Sequence, residues 1–244
     1  MKLFFAPSTA VKCLLRVADL LRRVALRRRM NEKRIFLARH GQTFHNAAAG
    51  ESYIDADRLS QTGWEQARRL GRLLAPRNVK TVVTSPLARA LETAEAVNET
   101  LGCALEEDEQ LIEIVPPAQT PDDPESEVEH WSVYMARHAD DRQYAVGGAE
   151  SFAAVMERVR GVVDSFQRRD RALIVSHAGF LRFVMGYLTW GEEFSPRTLP
   201  RLWVFELHNA GVSELRHVSS RAGYERSEGW SIVTWMQRDH LDGA

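Results

Sequence analysis

The sequence predicts an α/β fold, a three-layer α/β/α sandwich with a mostly parallel central sheet. Three observations carry that expectation. Short apolar runs at 35–38, 79–84 and 172–176 read as buried strands. Longer segments with helical spacing separate them, the alternation from which parallel sheets are built. The final stretch, at 202–207, 212–218 and 230–235, reads instead as strands joined by Gly, Ser and Asn turns, so the end of the sheet is expected to be antiparallel.

Residues 1–33 stand apart. Residues 1–29 carry eight Lys and Arg against Asp19 alone, about +7, and the remaining chain carries about −8 to reach the net −1. Val11, Leu14, Leu15, Ala18, Leu21 and Ala25 follow helical spacing among arginines, a pattern suited to weak contact with an anionic membrane surface or to targeting. Lys12 and Arg16 interrupt the apolar stretch of a secretory signal, and the plainer reading is a dispensable extension upstream of a start at Met30. The second expected unit is 34–244.

Strand one, Ile35 to Ala38, runs into Arg39-His40-Gly41-Gln42-Thr43 and on to Asn46. Thr62 to Glu65 has capping-box spacing, and Ala67, Leu70, Leu73 and Leu74 give the following helix an apolar face. The second strand, 79–84, ends at Ser85-Pro86, where Ser85 suits an N-cap and Pro86 the first helical position of a helix reaching Leu101. Leu111-Ile112-Glu113-Ile114 sets one acid among apolar residues. An acidic, Pro-rich insertion follows at about 115–147, with a helix expected at 125–139. Gly147-Gly148 breaks the chain before Glu150, Ser151 and a helix over 152–168. The third strand ends in His177-Ala178-Gly179, and 180–190 reads as a helix.

Composition narrows the function classes. No apolar run approaches the roughly 20 residues of a membrane span. Cys13 and Cys103 make neither a disulfide framework nor a CxxC metal spacing, which favours a reducing, cytoplasmic setting. The chain after residue 29, at about −8, lacks the basic footprint of a nucleic-acid binder. Three strand ends carry Arg39 with His40, Arg89, and His177, and a parallel sheet would bring them to one carboxyl edge, where α/β folds bind ligands. Two guanidinium groups match the oxygens of a phosphoryl group. Such a cationic setting favours a neutral imidazole, the form that attacks phosphorus, and Glu113 in an apolar surround would supply the leaving group's proton.

These residues resemble the histidine phosphatase superfamily, in its phosphoglycerate mutase-like branch. The likeness rests on Arg39-His40-Gly41-Gln42-Thr43 with Asn46, Leu59-Ser60-x-x-Gly63-x-x-Gln66-Ala67, Thr84-Ser85-Pro86-Leu87-x-Arg89-Ala90-x-x-Thr93-Ala94, Leu111-x-Glu113, Gly148-x-Glu150-Ser151, Val175-Ser176-His177-x-Gly179-x-x-Arg182 and His240-Leu241. It implies a phosphoglycerate mutase-like fold and a phosphatase acting on a small phosphorylated metabolite through a phosphohistidine on His40. It also implies that Arg39, Asn46, Arg89 and His177 bind the phosphoryl oxygens, that Glu113 is acid and then base, and that Gln42, Thr43 and Ala178 contribute to substrate binding. No metal and no cofactor are implied. The family's Gly and Trp-Glu-Gly-like cluster after the acid is replaced by Val115-Pro116-Pro117, and the longer mutase segment is missing, so hydrolysis is expected over mutase chemistry.

Plainer readings stand beside these. Alone, His40 would be a capped strand-end histidine and Arg89 a solvated helix arginine. Glu150 reads equally as a helix cap or a substrate contact. His45, His130 and His138 read as surface residues, Trp203, Phe205 and Trp235 as core, and Arg182 as structural. A non-catalytic phosphate-binding or scaffolding protein is the alternative of another class.

Overall fold

The computed structural model describes residues 33–47, 57–116, 135–137, 139–218 and 229–242. By backbone contacts, Arg34–Ala244 is one compact unit. The expected basic helix of the N-terminus lies outside the described residues, as does the insertion helix apart from helical Met135 to Arg137.

The strands are β1 (Arg34–Arg39), β2 (Thr81–Thr84), β3 (Ala104–Glu107), β4 (Ala172–Ser176), β5 (Val212–Val218) and β6 (Gly229–Gln237). They form one six-stranded sheet in the order β3-β2-β4-β1-β5-β6. The first four are parallel, and β5 and β6 join antiparallel. Among the described residues, the α-helices besides Met135 to Arg137 are α1 (Phe44–Ala47), α2 (Gln61–Leu74), α3 (Ala88–Leu101), α4 (Phe152–Phe166) and α5 (Ala178–Trp190).

Side-chain alternation along the strands builds the three layers. Phe36 and Ala38 of β1, Val82 of β2, and Leu173 and Val175 of β4 pack with Ala67, Leu70 and Leu74 of α2 and Ala90, Ala94 and Val97 of α3. The intervening Ile35, Leu37, Val83 and Ile174 pack on the other face with Val155, Val159 and Phe166 of α4 and Phe180, Phe183 and Val184 of α5. Each large apolar side chain fully buried in this way contributes about 1.5–3 kcal/mol. The chain steps outward from β1 to β2 to β3, then returns to insert β4 between β2 and β1. That insertion sets three consecutive strand ends about 5 Å apart.

Several local expectations need correction. The N-cap of α2 is Ser60, which accepts from the Gly63 N–H, so this helix starts ahead of Thr62. Ser85 does not cap α3, which begins three residues later behind Leu87. The Ser85 N–H still bonds the Val175 carbonyl at 3.0 Å, holding that residue at the sheet edge. The segment expected as a strand at 202–207 is a 3-10 helix over Leu199–Val204. Its buried residues, Leu199 and Leu202, repeat every three residues, the period of that helix and not of a strand. Trp203 and Phe205, expected in the core, are 40% and 37% exposed. Strand β3 was not foreseen.

Candidate active site

The order β2-β4-β1 places Ser85, His177 and His40 side by side at the carboxyl edge. The His40 N–H continues the β1–β4 ladder to the Ser176 carbonyl at 3.0 Å. His177 Nε2 lies 2.8 Å from Ser85 Oγ. The rings of His40 and His177 are 5.2 Å apart between centroids and tilted by 54°. Both residues are buried, as is Arg89 in the first turn of α3. Residues far apart in sequence are therefore brought together as expected.

The loop after β1 is held on all sides. The Gly41 N–H donates to Thr93 Oγ1 at 2.9 Å, and that hydroxyl donates to the Arg89 carbonyl at 2.6 Å, so α3 anchors the glycine beside the arginine. The Gln42 N–H donates to Gln66 Oε1 of α2, and the Ser60 N–H donates to the Gln42 carbonyl, both at 2.9 Å. Buried Glu92 of α3 accepts from the Leu59 N–H at 2.8 Å and from Arg58 Nε at 2.5 Å, fixing the segment that pairs Leu59 with Thr43. Glycine is required at this crossing. A Cβ on Gly41 would lie 2.6 Å from the Gly63 carbonyl oxygen, and one on Gly63 only 2.0 Å from the Gln42 carbonyl oxygen.

The histidine tautomer follows from this scaffold. His40 Nδ1 lies 2.8 Å from the Gly41 carbonyl oxygen. A carbonyl can only accept, so Nδ1 carries the proton and Nε2 keeps its lone pair. Burial, then the Arg39 and Arg89 guanidinium groups, hold His40 well below the ordinary imidazole pKa, against the opposing pull of the Gly41 bond. His177 is lowered in the same sense by burial first, then by His40, Arg89, Arg39 and Arg158. Both are neutral at pH 7. His177 Nδ1 is buried with no hydrogen-bond partner, and an unmade bond of that kind costs about 1–3 kcal/mol.

A pH dependence follows with a defined sign. The unfolded chain binds protons on these two histidines near pH 6.5, and the folded chain does so only at lower pH. Thermal stability is therefore expected to be level above about pH 6.5 and to fall as pH drops below it, by up to about 1.4 kcal/mol per pH unit for each histidine. His240, also lowered by burial, adds to the trend. Melting curves between pH 8 and 5 for the wild type and His177→Asn check this, with the flatter acid limb expected in the variant.

The structure revises the roles of several candidates. Glu113 is not in an apolar surround: Oε1 accepts from the Ile114 and Phe180 N–H groups, both at 2.9 Å, and Oε2 from the Gly179 N–H at 3.0 Å. It thus caps α5, for which His177, the residue at the N-cap position, supplies no side-chain bond. That places the carboxylate at the start of the helix that follows His177, with both oxygens engaged. Thr43, expected among the substrate contacts, is fully buried, and its hydroxyl accepts from the Asn46 N–H at 3.0 Å. Gln42 Oε1 accepts from the Ser60 hydroxyl at 3.0 Å, which ties it to the start of α2. Ala178 is the first residue of α5. Glu150 forms a two-pronged ion pair with Arg158 at 2.8 and 2.7 Å and accepts from the Val115 N–H at 3.1 Å. Arg158 Nη1 also donates to the Gln110 and Ile112 carbonyls, so this pair holds the segment on both sides of Glu113. The cap of α4 is Ser151, not Glu150.

Some supporting residues were not singled out from the sequence. Arg39 Nη1 donates to the Leu207 carbonyl at 2.7 Å, and the Ala210 N–H donates to the carbonyls of Arg39 and His40, both at 3.1 Å. The turn before β5 is therefore part of the site. Its signal was available: an antiparallel β5 beside β1 must begin where β1 ends. Arg182 lies 3.9 Å over the Trp203 ring, a structural contact. Among the described residues, no cluster of His, Cys, Asp and Glu is arranged to hold a metal ion, and no helix is long and apolar enough to cross a membrane.

This geometry coincides with a family match. The branch 1 profile of the histidine phosphatase superfamily matches residues 35–229. The chain belongs to the histidine phosphatase superfamily. An Erwinia tasmaniensis protein provisionally named phosphoglycerate mutase GpmB is 26% identical over 214 residues, covering 85% of this chain and 94% of that one. A Hydrogenobacter thermophilus protein provisionally named phosphoserine phosphatase 2 is 29% identical over 194 residues, covering 75% of this chain and 89% of that one. Among solved structures, phosphoserine phosphatase of Entamoeba histolytica in complex with 3-phosphoglyceric acid superposes with a TM-score of 0.64 at 19% identity, over 85% of this chain and 98% of that one. A mycobacterial glucosyl-3-phosphoglycerate phosphatase complexed with VO3 gives 0.63 at 24%, over 83% and 98%. The histidine phosphatase fold expected from the sequence is the fold observed.

Proposed function

We propose that the protein is a phosphomonoesterase for small phosphorylated metabolites and that His40 Nε2 is its nucleophile. The observation that carries this reading is the Nδ1 bond to the Gly41 carbonyl, which leaves an uncharged lone pair on Nε2 within the field of Arg39 and Arg89. In the first step Nε2 bonds to phosphorus and the bond from phosphorus to the ester oxygen breaks. The departing oxygen takes a proton from Glu113, which enters this step protonated on Oε2, the oxygen that accepts a single N–H. In the second step water attacks the phosphohistidine, its proton goes to Glu113, and the Nε2–phosphorus bond breaks to release phosphate and neutral His40.

Arg39 and Arg89 supply the positive charge for the transferring oxygens, and Asn46 adds amide hydrogen bonding. In the tautomer this mechanism requires, the Ser85 hydroxyl donates to His177 Nε2 across their 2.8 Å contact, and the partnerless Nδ1 carries the hydrogen that a phosphoryl oxygen accepts. The Ala178 amide begins the helix whose N-terminal dipole favours an anion. The relatives' names, phosphoserine phosphatase and phosphoglycerate mutase, suggest phosphorylated carboxylic acids as first substrates to try. The mutase name keeps transfer to a second hydroxyl as the second reading.

Turnover of p-nitrophenyl phosphate, phosphoserine and 3-phosphoglycerate, with phosphate release and 2-phosphoglycerate formation followed separately, tests the proposal. Phosphate release supports it, isomerisation without release supports the mutase reading, and inertness toward all three overturns both. Glu113→Gln separates the two duties of that residue. A proton-donor role predicts a loss of about 100-fold or more on the alkyl esters, against a much smaller loss on the aryl ester, whose leaving group needs little protonation. A purely structural cap predicts equal losses on both, with about 1 kcal/mol of lost stability.

A further inference from the structure

The turn from Leu207 to Gly211 contributes one side chain whose contacts all fall on the reactive loop. Asn209 Nδ2 lies 3.2 Å from each of three acceptors, the His40 carbonyl, the Gly41 carbonyl and Asn46 Oδ1, so its two hydrogens serve all three with one of them shared. The first two acceptors are backbone carbonyls, which can only accept. The NH2 of Asn209 must therefore be the end that faces the loop. Asn46 must then present its oxygen to Asn209, and its own NH2 points the other way.

We propose that Asn209 is a positioning residue that sets the donor face of Asn46 and the plane of the His40 imidazole. The proposal rests on the phosphatase reading above, in which Asn46 contacts the phosphoryl group. A phosphoryl group has acceptor oxygens only, so an Asn46 amide turned by half a rotation would meet it with an oxygen and repel it. Nothing in Asn46 itself distinguishes the two orientations, since its amide is close to symmetric in shape. Asn209 makes the choice. Its second effect passes through Gly41, whose carbonyl takes both Asn209 Nδ2 at 3.2 Å and His40 Nδ1 at 2.8 Å. Holding that oxygen in place holds the ring that donates to it, and so aims Nε2.

Asn209→Asp is the informative variant, because it keeps size and shape and replaces the donor by an acceptor. The carboxylate faces two carbonyls and draws the Asn46 NH2 toward itself, which turns the Asn46 oxygen to the phosphoryl site. The expected result is a fall in kcat/KM on p-nitrophenyl phosphate of about 100-fold, the scale for losing one preorganised donor, carried mostly by kcat. In an Asn46→Ala background the same change is expected to cost less than about ten-fold, since coupled residues are not additive. Asn209→Ala, which removes the donor without adding charge, gives the same cycle should the aspartate variant fail to fold.

A second readout needs no turnover. In 15N-labelled protein the Asn46 side-chain NH2 resonances are expected to shift on addition of inorganic phosphate, and to lose that shift in Asn209→Asp. Near-wild-type activity of the variants, an equal loss with and without Asn46, or a phosphate-induced shift that survives in Asn209→Asp overturns the proposal. A wild-type protein inert toward every phosphomonoester overturns the phosphatase reading instead, and the resonance shift then still decides for or against Asn209.

Discussion

His40→Ala is expected to lower phosphomonoester turnover by at least about four orders of magnitude, the scale seen when a covalent nucleophile is removed from a preorganised site. The size of the effect follows from the geometry. Arg39, Arg89 and His177 all remain in the variant, so phosphate should still bind, but none of them presents a lone pair to phosphorus. In the proposed tautomer His177 cannot substitute, because its Nε2 is committed to Ser85 Oγ at 2.8 Å and its Nδ1 carries the hydrogen. Binding retained with turnover lost separates a missing nucleophile from a collapsed pocket. Isothermal titration with inorganic phosphate, alongside kcat on p-nitrophenyl phosphate, checks both halves.

Gly63→Ala is the second large effect, and it acts through the backbone. The added Cβ would lie 2.0 Å from the Gln42 carbonyl oxygen and 2.9 Å from its carbon, and neither atom belongs to a side chain that can swing away. Overpacking against backbone is expected to cost about 3 kcal/mol, the upper end of the usual range. The displaced Gln42 adjoins Gly41, so the reactive loop moves with it, and a misplacement of about 1 Å is expected to cost about 100-fold in kcat. Gly161, inside α4 with open space around its Cβ position, is the control. Gly161→Ala is expected to raise stability by about 0.5–1 kcal/mol through helix propensity. Thermal melts and kcat of the two variants check the contrast.

The parts of the molecule legible in the sequence were those where one local signal sufficed. Strands β1, β2 and β4 announced themselves as apolar runs because both of their faces are covered, and glycine-bounded helices announced themselves by their apolar faces. The gathering of Arg39, His40, Arg89 and His177 followed from topology alone, since parallel strands put their carboxyl ends together. Strand β3 was missed because Ala104–Glu107 is exposed along its whole length at the sheet's edge and carries no apolar alternation. The segment at 202–207 misled because apolar residues alone do not distinguish a strand from a 3-10 helix.

Roles within the site were less legible than its membership. Glu113 was expected among apolar neighbours because Ile112 and Ile114 flank it, yet its oxygens turn to the backbone of α5, 66 and 67 residues away. Asn209 and Arg158 act through contacts spanning 169 and 48 residues, for which no sequence spacing exists to read. The sequence shows Gly63 only as one position of a motif, whereas the packing shows that it permits the Gln42 carbonyl to pass.

The proposed mechanism turns on a covalent bond between phosphorus and His40 Nε2. Mixing the enzyme with p-nitrophenyl phosphate, quenching in base within the first turnovers and mapping the modified peptide by mass spectrometry tests it directly. The predicted result is an acid-labile, base-stable phosphoryl group on the peptide that carries His40, absent from His40→Ala. A phosphoryl group on Ser85 or another residue, or steady turnover in His40→Ala, would exclude His40 as the nucleophile.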